Sequence, residues 1–194
     1  LHTAYRRQRQ MCIRDSARDM ELGTFWAIKQ LPLSMKKEAE LLRRLNHSSL
    51  PRMTDYTEQD DKCYLVMEYI KGKSLNEYLK TNNFLSFEEI LTITRTILQI
   101  FQYLHSQKPP IYYGDLKPEN LMRTETGKIY LVDFGSALYS YGTVRKNIKG
   151  TKGYAAPEQY QGMLTAASDF YALGKTIQQL CGRNKYSYLS LIHI

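Results

Sequence analysis

The strongest periodic signal in the chain is "SFEEILTITRTILQIFQYLHS", residues 86–106, where Ile90, Ile93, Ile97, Phe101 and Leu104 recur at three- and four-residue steps. That spacing lines one face of an α-helix. Ser86, followed three residues later by Glu89, forms a capping box that starts it. Upstream the pattern shortens to period two. "TFWAIKQL" alternates and is rich in β-formers, predicting a strand, and "KCYLVMEYI" predicts another after a turn at "EQDD". Between them "SMKKEAELLRRLNH" sets Leu41, Leu42 and Leu45 among good helix formers, predicting a short helix. Downstream, "KIYLVDFG" predicts a short strand after a turn at Thr126 and Gly127, and "ASDFYALGKTIQQLC" a largely apolar helix within a core.

A strand-rich first half and a helix-rich second half imply two packed lobes in an α+β arrangement. A length of 194 residues supports one domain. The two ends look foreign to this pattern. "RRQRQMCIRDS" has neither periodicity, "LSLIHI" follows the last helix abruptly, and both resemble translated adapter read-through. On that reading residues 1–16 are a non-native leader, 17–188 a partial domain divided at residue 70, and 189–194 a non-native tail. The alternative is a genuine basic arm and a genuine short strand.

Composition narrows the classes. Hydrophobic residues at 43% and charged residues at 24% are ordinary globular values, which excludes disordered and collagen-like chains. The formal charge of +8 invites a nucleic-acid reading, but the first sixteen residues hold four basic and one acidic group, leaving 23 and 18, a net of +5. That excess is spread without an arginine stripe and suits polyanionic ligands such as nucleoside triphosphates better than nucleic acid. The most apolar stretch, Ile90 to Leu104, is interrupted by Arg95, Gln99 and Gln102, so it is no transmembrane span. Without an apolar leader the expectation is a cytoplasmic setting. Cys12, Cys63 and Cys181 lie far apart with no paired motif, arguing against a zinc site or disulfide framework; Cys63 and Cys181 are expected as buried apolar residues.

The candidate chemistry lies in four short stretches. "WAIK", "DLKPEN", "DFG" and "GTKGYAAPE" occur in this order, with 18 residues from Asp115 to Asp133 and 25 from Asp133 to Glu158. Each is weak alone, but the ordered set resembles the eukaryotic-type protein kinase family, most closely its bacterial Ser/Thr members, over roughly residues 17–188. The resemblance implies a two-lobed fold, ATP and Mg2+ as cofactors, and proteins with Ser or Thr acceptors as partners. Phosphoryl transfer asks the protein for positioning and charge compensation more than for covalent chemistry.

The resemblance also assigns roles. Lys29 corresponds to the strand lysine on the phosphates and Ala27 to the small residue on adenine. Glu38 is the expected partner of Lys29, with Glu40 the competitor and Leu42 one turn on. Met67 corresponds to the gatekeeper, the backbone of Glu68 and Ile70 to the adenine-binding hinge, and Met122 to the pocket floor. Asp115 corresponds to the catalytic base, Lys117 to the group that neutralises the transferred phosphoryl, and Asn120 and Asp133 to the metal ligands, with Phe134 and Gly135 completing "DFG". Thr151, seven residues before Glu158, and Lys117 point to Ser/Thr rather than Tyr acceptors. Asp169 corresponds to the buried helix aspartate that holds the catalytic-loop backbone.

Three departures stand out. Only eight residues separate Lys29 from Glu38, so the helix between them is short. The glycine-rich loop expected before "TFWAIK" is missing, Gly23 belonging to a later strand turn, and so are the later helices with the arginine expected to pair with Glu158. The family's His-Arg-Asp reads Tyr113-Gly114-Asp115 here. Tyr113 is expected to stack under Phe134. Gly114 leaves no positive charge for a loop phosphate to neutralise, so activity is expected not to depend strictly on phosphorylation at Thr143. The sequence reading is a truncated Ser/Thr protein kinase; the alternatives are a nucleotide-binding scaffold without efficient transfer and a small-molecule kinase on a related fold.

Overall fold

The computed structural model describes residues 13–18, 23–81, 84–140 and 150–182. The chain divides into two compact units, residues 1–71 and 72–194.

The first unit is built on a four-stranded antiparallel sheet. Its strands are β1 (Ile13–Arg18), β2 (Phe25–Pro32), β3 (Met53–Gln59) and β4 (Lys62–Glu68), in spatial order β1-β2-β4-β3. β1 takes in residues 13–16, which the sequence reading set aside as leader. It pairs with β2 through the backbone from Ile13 opposite Gln30 to Arg18 opposite Phe25, and such pairing needs no side-chain alternation. Gly23, at φ +68°, lies between the two strands. β3, which period-two patterning did not predict, joins β4 through Asp60 and Asp61, both at positive φ (49° and 57°), the geometry of a tight two-residue hairpin turn. One 3₁₀ turn at Leu33–Met35 leads into α1, Lys37–Leu42, the short helix expected. Its inward face, with Leu41 and Leu42, packs with Leu31, Leu45, Leu50, Cys63 and Leu65 as the core of this unit. Burial pushes the Cys63 thiol up from its ordinary value.

The second unit is mainly helical. α2 (Leu75–Lys80) follows the short strand β5 (Gly72–Ser74), and α3 spans Phe87–His105. Both helices begin with a reciprocal capping box, Ser74 with Glu77 and Ser86 with Glu89. β6 is Ile111–Tyr112, β7 Leu121–Thr124, β8 Ile129–Leu131 and β9 Leu138–Tyr139; β5-β7-β8 and β6-β9 form two small antiparallel sheets. α4, Ala166–Gly182, supplies the second core helix. Ile90, Ile93, Ile97, Ile100, Phe101 and Leu104 of α3 are buried, as are Ala172, Leu173 and Leu180 of α4. Cys181 is only half-buried, against expectation, because it lies at the last turn of α4. Among the described residues, no helix is long and apolar enough to cross a membrane.

Candidate functional site

Strand alternation places one group of predicted residues. On β2, Lys29 and Leu31 are buried, and their cross-strand partners on β4 are Leu65 and Cys63. The ammonium of Lys29 is thus carried on the apolar face of the sheet, where an unpaired charge would be very costly. The facing stripe of α1 resolves this: Glu38 lies one turn before Leu42 on its buried side and meets Lys29 Nζ at 2.5 Å, both side chains at most 4% exposed. Glu40, the competitor, is exposed. Ala27 and Met67 are direct cross-strand partners and half-buried, so the residues expected on adenine share one face with Lys29. Glu68 donates its amide N–H to Arg52 O at 2.8 Å, so that donor is engaged within the sheet. Ile70 follows the strand, half-buried.

The second group surrounds residues 113–120. Asp169 is completely buried in the first turn of α4, and its carboxylate accepts from Tyr113 N (3.0 Å), Gly114 N (2.8 Å) and His105 Nε2 (2.8 Å). Three charge-assisted hydrogen bonds satisfy a carboxylate that would otherwise be desolvated without compensation. Gly114 sits at φ +77°, and a Cβ there would lie 2.9 Å from Leu164 Cδ2, so backbone and neighbour alike favour glycine. Tyr113 is fully buried, and its hydroxyl donates to Val132 O at 2.6 Å. Its ring meets Phe134 edge to face, centroids 5.3 Å apart at 81°, rather than stacked as expected; that hydroxyl bond fixes the ring's tip, and edge-to-face contact suits the ring quadrupoles.

From this anchored backbone the side chain of Asp115 faces Lys117 and Thr151. Lys117 Nζ contacts Asp115 Oδ2 at 2.7 Å and Thr151 Oγ1 at 2.6 Å. Thr151 donates its hydroxyl (2.6 Å) and its amide (3.1 Å) to Asp115 Oδ1. Asn120 donates Nδ2 to Asp115 O at 2.9 Å, which turns its carboxamide oxygen the other way. Val132 N donates to Asn120 O at 2.9 Å and so extends the β7-β8 pairing to the residue just before Asp133. Asp133 adopts φ +70°, an uncommon conformation outside glycine that collects at functional sites. Its carboxylate faces Gly135 N at 3.4 Å. Met122, half-buried on β7, pairs with Ser74 and Tyr130.

Near residue 158 the sequence reading left a partner missing. Glu158 Oε1 accepts instead from Ser168 Oγ at 2.7 Å. Thr143 lies outside the described residues. Several contributors escaped sequence reasoning: His105, Ser168 and Gln159 act across 64, 10 and 45 residues respectively, and no local pattern announces such pairs. The capping box Ser74-Glu77 did carry a signal, the S-x-x-E of "SLNE".

The sequence matches known proteins. The family model described as protein kinase domain matches residues 16–190. Serine/threonine-protein kinase B of Synechocystis sp. is 37% identical over 154 residues, covering 73% of this chain and 26% of its own length. Serine/threonine-protein kinase PrkC of Bacillus subtilis is 34% identical over 193 residues, covering 92% of this chain and 30% of its own. A eukaryotic relative, serine/threonine-protein kinase WNK of Caenorhabditis elegans, is 32% identical over 160 residues, 78% of this chain and 9% of its own. The chain therefore spans less than a third of the length of these relatives. With the family model covering most of the chain, the chain belongs to the eukaryotic-type protein kinase family and is similar to its bacterial members.

Proposed function

We propose that the protein transfers the γ-phosphoryl group of Mg-ATP to Ser or Thr hydroxyls of protein substrates. One observation carries this reading: the Asp115 carboxylate holds a threonine hydroxyl at 2.6 Å while the Lys117 ammonium touches both groups. An acceptor hydroxyl needs the same surroundings. Asp115 takes its proton as the oxygen bonds to the γ-phosphorus, the bond to the bridging oxygen breaks, and ADP leaves. Lys117 offsets charge on the transferred group. Thr151 holds the carboxylate in its working orientation.

The donor sets suit the nucleotide and its metal. Lys29, an ammonium oriented by Glu38 on an apolar face, fits phosphate oxygens as Lys does in this chemistry. A carboxylate at Asp133 and a carboxamide oxygen at Asn120 are the hard oxygen ligands Mg2+ prefers. When bound, Mg2+ supplies neutralisation of β- and γ-phosphate oxygens.

Gly114 bears on regulation. With no cation at that position, and with Leu164 close over it, no loop phosphate is needed to neutralise a charge beside the base. Transfer then proceeds without phosphorylation at Thr143. Thr143→Ala should lower activity less than about 100-fold, the upper scale of regulatory coupling; a greater loss overturns this point.

The activity test is incubation with radiolabelled ATP, Mg2+, casein and small alcohols. Label on casein that Asp115→Asn reduces by about 10²- to 10⁴-fold, the usual worth of a general base, supports the reading. Nucleotide binding without label transfer points to a scaffold, and label only on the alcohols to a small-molecule kinase; either outcome overturns it.

A further inference from the structure

Gly114 raises a mechanical problem for the residue beside it. The carbonyl of Gly114 and the amide of Asp115 form one peptide plane, and glycine restrains its φ and ψ less than any other residue. A base attached to so soft a hinge needs that plane held from outside. On the amino side, Asp169 accepts the Gly114 N–H at 2.8 Å. On the carboxyl side, Gln159 donates Nε2–H to Gly114 O at 2.9 Å.

Gln159 is suited to this. It is 3% exposed and lies in the 3₁₀ turn Pro157–Gln161, and its Oε1 accepts from Ala156 N at 2.9 Å, so the amide is used at both ends. A Cβ at residue 150 would fall 2.6 Å from Ala155 Cβ and 3.0 Å from Gln159 Nε2, so Gly150 lets the backbone pass directly against the amide. Residues 150–159 are thereby fastened to the loop at two points: Thr151 on the Asp115 carboxylate, and Gln159 on the peptide that aims it.

We propose that Gln159 is a positioning residue for the transfer reaction: with Asp169 it clamps the two peptide planes flanking Gly114 and so fixes the direction of the Asp115 carboxylate with a neutral amide. The proposal rests on the assignment of Asp115 as the base. It names what orders the loop in place of a charge at residue 114.

Two substitutions separate the two arms of the amide. Gln159→Met removes both. Gln159→Glu keeps an acceptor for Ala156 N but donates to Gly114 O only while its carboxyl is protonated. In Gln159→Met, kcat falls about 10- to 100-fold, the scale of a misplaced catalytic group, with KM for ATP nearly unchanged. In Gln159→Glu, activity relative to the unsubstituted protein is near normal at low pH and falls as pH rises through the carboxyl's pKa. Hydrogen exchange on the 194-residue chain, which needs no turnover, should show faster exchange at residues 114–116 in Gln159→Met, and in Gln159→Glu only at the higher pH. Unchanged exchange at those amides in Gln159→Met, or a pH-independent activity ratio in Gln159→Glu, overturns the clamp. If Gln159→Met does not fold, the pH series of Gln159→Glu decides alone. Failure of the underlying assignment reads differently: Asp115→Asn would retain full transfer while the exchange pattern at residue 159 variants still followed the clamp.

Discussion

Replacing Asp169 by asparagine tests the anchoring of the backbone at Tyr113 and Gly114 most directly. The native carboxylate has no exposure and accepts three hydrogen bonds, from Tyr113 N, Gly114 N and His105 Nε2. Asparagine keeps the shape but has one acceptor oxygen and one donor NH2 group. If the oxygen stays on Gly114 N, the NH2 group faces both Tyr113 N and the His105 ring. One buried backbone donor then loses its partner, which costs about 1–3 kcal/mol, with a further loss because the remaining bonds are no longer charge-assisted. The expected destabilisation is about 2–4 kcal/mol, a large part of the ~5–15 kcal/mol by which domains are stable. Alanine orphans both amides and should cost at least as much. Urea titration followed by circular dichroism reads this as a lower midpoint at constant slope. Hydrogen exchange should localise it, residues 113–115 exchanging faster than the α3 core at Ile97 and Ile100. A loss of stability below about 0.5 kcal/mol for asparagine, the range of neutral surface changes, would refute the view that these amides depend on Asp169.

Other consequences are simpler to measure. Removing one partner of the buried Lys29–Glu38 pair, as in Glu38→Gln or Lys29→Met, should destabilise the protein by about 3–5 kcal/mol, whereas changing both to methionine should be close to neutral in urea titrations. Lys29→Met should in addition abolish ATP binding in either background, measured by calorimetry. Gly114→Ala must hold φ near +77° with a Cβ 2.9 Å from Leu164 Cδ2. It should cost about 1–2 kcal/mol, a melting shift of roughly 2–8 °C in a chain of this size. Adding Leu164→Ala should relieve the contact but leave the backbone cost.

The elements legible in the sequence were those whose own side chains carry the signal. α3 has six buried apolar positions on one face and a capping box at its start, so its bounds and core face could be read from periodicity. β2 and β4 could be read from alternation. β3 could not, because "MTDYTEQ" buries almost nothing: its residues are half-buried at Met53 and Tyr56 and exposed elsewhere, and the strand is held by backbone pairing to β4. β1 lies at the end set aside as leader, and its pairing with β2 runs through the backbone. Of the site, the residues that appear in ordered motifs were legible, and the choice of Glu38 over Glu40 follows from which side of α1 is buried. Gln159, His105 and Ser168 were not legible, since their partners lie far away in sequence and each residue looks locally like any polar residue of a turn or helix end.

A common feature explains why the loop tolerates Tyr-Gly-Asp. Asp169 binds two backbone amides, Gln159 a backbone carbonyl, Asn120 the carbonyl of Asp115, and the Tyr113 hydroxyl the carbonyl of Val132. Each of these contacts reads the path of the main chain and ignores the side chain at residue 114. A backbone held from four directions can keep a carboxylate aimed whatever its neighbour is, provided that neighbour accepts a positive φ and leaves room for Leu164. Glycine meets both conditions at the cost of flexibility, and the buried amide and carboxylate on either side of it remove that flexibility again. Side-chain chemistry at residues 115, 117 and 151 is thereby separated from the means of holding it. For this reason losing Asp169 or Gln159 should harm turnover more than their distance from the reacting atoms would suggest.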